Sequence, residues 1–382
     1  LAADAVAKRS EQRFPCVQCG AVLRYSVAQE SLKCNYCGCE QEIEQSDKAI
    51  VEHDFQQALR ALEHADLPPA PVEHIGCDSC GAHFSYDQGQ HAGECPFCSA
   101  PVVVSDTSDT RFKAESLLPF SVTEERARSA YKKWLKSLWF APGKLKKYAR
   151  SDQSLNGVFL PYWTYDSDTR SRYSGERGET YYVIQWVTVV QNGRHVRRKQ
   201  RVPKVRWHRV SGRVSRHFDD VLVGASDTLP RQITDKLRPW DLHFLVPYDA
   251  SYLSGMRSEM YQVPLDEGFG RAQQVMKSTI VNDVRADIGG EFQRVHNVET
   301  KHSNTTFKHV LLPVWTAAFR FSGKHYRFVV NGRTAKVHGE RPYSKLKIAL
   351  AVIAALIAAG VFMMALSSGE FSANSGGYIR HY

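Results

Sequence analysis

The sequence predicts a multidomain chain. Two small zinc ribbons of the β-hairpin type, joined by a helix, precede an α+β, β-rich body with repeated strand units and one C-terminal transmembrane helix. Three observations carry this reading. Eight of nine cysteines fall into two frames of identical spacing. Aromatic–polar alternation with glycine breaks starts at Gly157, and a related phrase returns at Leu311. Residues 348–366, IALAVIAALIAAGVFMMAL, hold no charge. The boundaries read as an N-terminal tail (1–14), ribbon 1 (15–45), a helical linker (46–72), ribbon 2 (73–110), a basic α+β body (111–343), a transmembrane helix (344–366) and an extracytoplasmic tail (367–382).

Length and charge set the frame. A chain of 382 residues has room for two or three folded units with at least one sizeable core. A hydrophobic share of 43% and a charged share of 24% exclude a disordered chain and a multi-span transporter. The formal charge of +10 is unevenly placed: residues 1–110 hold 7 Lys+Arg and 17 Asp+Glu, or −10, which leaves +20 for the remainder.

Ribbon 1 takes Cys16, Cys19, Cys34 and Cys37; ribbon 2 takes Cys77, Cys80, Cys95 and Cys98. Both read C-x2-C-x14-C-x2-C, offset by 61 residues, and Gly20/Gly81, Ala21/Ala82, Tyr25/Tyr86 and Gln29/Gln90 match too. Two residues between thiolates let one tight turn offer both sulfurs to a tetrahedral Zn2+. Glycine after the second cysteine of a pair suits the positive φ of such a turn. Four thiolates close the coordination sphere, so two structural Zn2+ ions are expected and catalysis at them is not. Cys39 is left over as a spare thiol. Each tetrathiolate adds a formal −2 and moves the head further from the sign that phosphate binding wants, which favours protein docking.

In the linker, Val51, Phe55, Leu59 and Leu62 share one helical face, Ser46 or Asp47 can cap it, and Pro68-Pro69 stops it. His53, His64 and His74 read as solvated. In the body, Ser121-Val-Thr-Glu-Glu opens a helix running through Tyr131, Trp134, Leu135 and Leu138 to about Phe140. Leu160-Pro-Tyr-Trp-Thr164 matches Leu312-Pro-Val-Trp-Thr316 at four of five positions, with a weaker echo in residues 244–259. Trp163 and Trp315 read as core anchors. Residues 193–218 carry Arg194, Arg197, Arg198, Lys199, Arg201, Lys204, Arg206, Arg209, Arg213 and Arg216 with no acid before the terminal Phe218. Interleaved valines predict irregular strands with one basic face. Anionic lipid headgroups, nucleic-acid phosphate and the acidic head all suit it as partners. Residues 265–288 predict one long helix ended by Gly289-Gly290.

The apolar run spans about 28 Å as a helix, enough for one bilayer crossing. Arg341, Lys345 and Lys347 precede it, so the positive-inside bias puts the N-terminal bulk in the cytoplasm. The first residues lack the apolar core of a signal peptide. A reducing compartment favours metal over disulfide for the cysteines. No phosphate loop, zinc-protease helix or nucleophile elbow is present, and no enzymatic activity is expected.

The paired CxxC motifs, EHDFQQALRAL, WLKSLWFAPGKLKK, FLPYWTYDSDTRSRYSGERG, LLPVWTAAF, VVNGRTAKVHGERP and the terminal apolar helix occur in this order. Over nearly its whole length the chain resembles the bacterial membrane-anchored double-zinc-ribbon proteins, often labelled TFIIB-type zinc ribbon protein or primosomal protein N' (replication factor Y), superfamily II helicase. The resemblance implies an inner-membrane adaptor that recruits SPFH/flotillin-like or phage-shock-type coat proteins to the cytoplasmic face. The alternative is a nucleic-acid-binding zinc-ribbon protein related to replication and primosome factors, without helicase activity of its own.

Overall fold

The computed structural model describes residues 14–21, 23–44, 46, 48–64, 75–76, 82–84, 93–94, 97, 101–104, 112, 114–142, 155–191, 194–259, 261–321 and 324–367. In chain order these hold β1 (Arg24–Ser26), β2 (Ser31–Lys33), β3 (Glu40–Gln41), β4 (His53–Asp54), α1 (Phe55–His64), β5 (Ile75–Gly76), β6 (His83–Phe84), β7 (Gly93–Glu94), β8 (Pro101–Val104) and β9 (Ser116–Leu117). Then come α2 (Glu124–Ser137), β10 (Asn156–Gln191), β11 (Arg194–Gly224), α3 (Arg231–Thr234), β12 (Val246–Pro247), β13 (Arg257–Ser258), α4 (Leu265–Ile288), β14 (Phe292–Phe321), β15 (Lys324–Asn331), β16 (Val337–Gly339) and α5 (Lys345–Ser367). The main sheet runs β11-β10-β14-β15-β16, and β1-β2-β3 and β6-β5-β8-β7 form two small antiparallel sheets of their own.

The sequence echo is a pseudo-two-fold of the body. Leu160 of β10 pairs directly with Leu312 of β14, and Trp163 and Trp315 lie three residues to either side, opposite His309 and Gly157. Antiparallel pairing turns the repeated phrase onto itself, and the period-2 alternation puts both indoles on one face. Each indole is buried and donates to a backbone carbonyl just ahead of a helix. Trp163 Nε1 donates to Val263 O at 3.0 Å, one residue before the Pro264 N-cap of α4. Trp315 Nε1 donates to Val122 O at 2.7 Å, one residue before the Thr123 N-cap of α2. Helix α4 packs on β11, β10 and β14, and α2 on β15 and β16. Tyr131 of α2 stacks on Phe328 of β15 at 3.6 Å.

Both long helices follow their sequence signals. Thr123 Oγ1 accepts from Arg126 N–H, acidic residues fill the first turn of α2, and Ala127, Tyr131 and Leu135 face the core. Helix α4 spans the expected residues and ends at Gly289, whose φ of 64° suits glycine. Its buried stripe is Leu265, Gly268, Ala272, Met276, Ile280, Val284 and Ile288.

Three expectations are corrected. Helix α1 begins at Phe55, and Asp54 Oδ1, accepting from Gln57 N–H at 2.6 Å, replaces Ser46 or Asp47 as its cap. The preceding residues are drawn into the main sheet, where His53 pairs with Phe307, and Val51 is left exposed. Residues 244–259 form 3-10 turns and two short strands in place of a hairpin echo. Residues 194–218 belong to a single continuous strand, β11, in place of irregular strands.

Candidate metal centre and basic arm

The sulfurs of Cys16, Cys19, Cys34 and Cys37 lie within 4.8 Å of one another. Cys16–Cys37 and Cys19–Cys34 Sγ separations are 3.5 Å. A tetrahedral Zn–S length of about 2.3 Å sets S···S near about 3.8 Å, so the cage has the size of one such ion. Two equivalent knuckles build it. Gly20 N–H donates to Cys16 O at 2.8 Å and Gly38 N–H to Cys34 O at 3.0 Å. Gly20 and Gly38 hold φ of 74° and 76°, the left-handed turn that the sequence assigned to them. N–H groups of Cys19 and Gln18 pull the Cys16 thiol down to about 6, and those of Cys37 and Tyr36 pull Cys34 the same way. Against the pull of the Ala21 and Cys39 N–H groups, Cys19 and Cys37 are raised by neighbouring sulfurs and desolvation. Such a set supplies the negative charge that a divalent cation neutralises. Cys39 stands outside the four, with Sγ 3.8 Å from Glu40 O. Cys77, Cys80, Cys95 and Cys98 lie outside the described residues.

The ribbon is fastened to the body. Tyr25 N–H donates to Ser254 O at 2.8 Å, and Ser254 Oγ donates to Leu23 O at 2.6 Å. Cys16, Leu23, Tyr25, Leu32 and Cys34 belong to the same apolar cluster as Phe120, Tyr131, Tyr252 and Trp315.

The ten basic positions all lie on β11, and the strand divides them. By register, Arg197, Lys199, Arg201, Arg209 and Arg213 project to one face and Arg194, Arg198, Lys204, Arg206 and Arg216 to the other. The expected single basic face is thereby corrected, because alternation along an unbroken strand separates neighbouring charges. Arg216, nearest the core, is bound by Asp283 of α4 through two contacts of 2.6 Å.

Beyond Gly178, where β14 starts at Phe292, the pairing of β10 among the described residues is with β11 alone. This leaves a two-stranded arm. Glu291 receives Thr180 N–H at 3.2 Å and covers the first amide of the uncovered edge. Tyr182, Ile184 and Trp186 line one face and are 58%, 70% and 57% exposed. Arg201 sits 4.9 Å from the Tyr182 ring centre, and Lys199 and Arg197 sit 5.2 and 5.8 Å from that of Trp186. Sequence reading missed this face; its signal was the period-2 spacing of Tyr182, Ile184 and Trp186 across from the basic run.

Helix α5 is long and apolar enough to span a membrane, and none of its apolar stretch is buried in the protein. It starts beside α2: Ser344 N–H donates to Phe140 O at 2.8 Å. Lys347 Nζ donates to Ala141 O at 2.8 Å and Trp139 O at 3.2 Å.

A second cluster had no sequence signal, because its members are far apart in the chain. Lys308 Nζ, largely buried, lies 2.9 Å from Glu52 and 2.8 Å from Asp220. Burial raises Asp166 to about 6, against the Asp220 N–H and reinforced by Glu52. Against its own burial, hydrogen bonds from Asp166 and Lys308 hold Glu52 low. His53, expected to be solvated, instead hydrogen-bonds Glu115. The raised Asp166 gives stability that is fully present below its unfolded value near 3.8 and is lost as pH rises through about 6. Asp166→Asn keeps an acceptor for Asp220 N–H and cannot ionise. Its stability relative to wild type is therefore expected to climb between pH 5 and 7 in thermal unfolding scans. A constant difference across that range refutes the assignment.

The chain matches no family model and no solved structure. It is similar to the "Uncharacterized protein YdjG" of Bacillus subtilis (strain 168), 25% identical over 343 residues that cover 88% of this chain and 92% of that protein.

Proposed function

We propose that the chain is a single-pass adaptor of a bacterial inner membrane. It docks a protein partner at the cytoplasmic face, a coat protein of the SPFH/flotillin-like or phage-shock type being the class the resemblance names. Zn2+ at the Cys16–Cys37 cage, and a second Zn2+ at Cys77, Cys80, Cys95 and Cys98, hold the fold without reacting. One observation carries the reading: the apolar helix and the bare arm sit at opposite ends of the same long strands. Five residues before α5, Glu340 N–H donates to Arg327 O, and Arg327 pairs with Ala318 of β14, two residues from the Thr316 that faces Asn156 at the start of β10. Trp186 lies 30 residues further along β10, or about 100 Å of strand. An adaptor needs such separation between its anchored and its partner-binding end. The arm also favours a partner: two-stranded ribbons are marginal in water, and this one exposes aromatic rings. Between residues 179 and 206, seven basic residues face one acid, Glu179, which selects an acidic surface.

A photocrosslinking residue at Ile184, in intact membranes, is expected to capture an acidic coat protein, and Arg197→Glu/Lys199→Glu/Arg201→Glu is expected to abolish the adduct. No adduct at Ile184 retires the docking reading. Binding of the full chain to DNA or RNA that weakens steeply with salt would instead assign the arm to nucleic acid.

A further inference from the structure

The geometry points to a second membrane contact: the turn after α2, carrying Trp139 and Phe140, lies in the headgroup layer at the foot of α5. This rests on α5 spanning the bilayer. Trp139 is 79% exposed and Phe140 39%, although the next residue, Ala141, is buried. A chain that hides an alanine and displays a tryptophan beside it has not run out of core. It presents that ring outward.

The turn is fixed to the helix by three bonds. Ser344 N–H binds Phe140 O, and Lys347 Nζ bridges Trp139 O and Ala141 O. The two aromatics are thus held level with residues 344–347, where the apolar surface of α5 begins. Tyr343, also exposed, stands at the same level with Arg341 5.3 Å from its ring centre. Tryptophan, tyrosine and cations at the end of an apolar span are the residues that an interface accepts, because their bodies are apolar and their tips polar. Leu346, Ile348 and Leu350, in the first turns of α5, are exposed as well. A bilayer that covers them reaches the level to which the three bonds hold Trp139 and Phe140.

The consequence is orientation. One helix alone leaves the body free to swivel about its stalk. A second, rigidly attached foothold fixes the tilt of the sheet and therefore the direction of the arm.

Tryptophan fluorescence of the full chain in nanodiscs containing lipids brominated high on the acyl chain tests this. Helix α5 has no tryptophan. Wild type is expected to be quenched and Trp139→Phe to lose most of that quenching, while Trp186→Phe keeps it. Unchanged quenching in Trp139→Phe overturns the contact. Loss in Trp186→Phe instead would place the arm on the bilayer and overturn it too. Release of the protein from vesicles by alkaline carbonate would show that α5 does not span, a different failure from an inserted chain whose Trp139 is not quenched.

Discussion

Cys16→Ser is expected to cost the protein the metal of its first ribbon and much of the order at the adjoining end of the body. The four sulfurs form one cage of the size that Zn2+ fits. Structural zinc contributes about 10–16 kcal/mol in isolated zinc-finger peptides at neutral pH, more than the whole stability of most domains. Here the ribbon is no detached bead. Leu23, Tyr25 and Leu32 share a cluster with Phe120, Tyr131 and Trp315. Tyr25 packs 5.3 Å from Tyr252. A ribbon that melts therefore uncovers body residues as well. Elemental analysis is expected to fall by about one zinc per chain, and the unfolding transition to broaden and move down. Cys39→Ser is the control, since that sulfur stands outside the cage and its loss is expected to leave zinc unchanged. Full zinc content in Cys16→Ser, or lost zinc in Cys39→Ser, overturns the ligand assignment.

What was legible in the sequence was what local chemistry dictates. Thr123 with two glutamates after it starts a helix from local chemistry alone, and a glycine at 289 ends one in the same way. Residue spacing alone set Cys16, Cys19, Cys34 and Cys37 in register, because a knuckle is a local turn. What stayed hidden depends on contacts between distant residues. His53 and Asp54 have no strand signal; they become a strand because Phe307 and Thr306 offer an edge. The pairing of Lys308 with Glu52 spans 256 residues. Ten cations in a row read as a stripe until an unbroken β11 deals them to opposite faces. The split also separates charge from reach. Adjacent in sequence to the anchor half of the chain, the basic run is carried to the far end of the sheet by strands that no single hydrophobic pattern announces.

Trp163→Ala and Trp315→Ala are expected to cost about 3–5 kcal/mol each, as buried tryptophan truncations do, and to cost it independently. Each ring is embedded among aromatics: Trp163 lies 5.0 Å from Tyr261 and 5.9 Å from Phe307, and Trp315 lies 4.9 Å from Phe120. Each N–H also holds the lead-in of the helix that packs on the indole's own side of the sheet, α4 over β10 and β11 for Trp163 and α2 over β15 and β16 for Trp315. Removing the donor alone, by Phe, leaves a buried carbonyl without its partner, at about 1–3 kcal/mol. The two sites are six residues apart along the strand pair, since Trp315 faces Gly157, or roughly 20 Å. At that distance the losses are expected to add to within about 0.5 kcal/mol. Denaturant titration of the two single variants and the double variant reads this directly. Closely matched singles and an additive double are what a duplicated helix-docking unit produces. A Trp315→Ala that costs a small fraction of Trp163→Ala would mean that the matching phrases reflect strand pairing alone, with no equivalent mechanical part behind them.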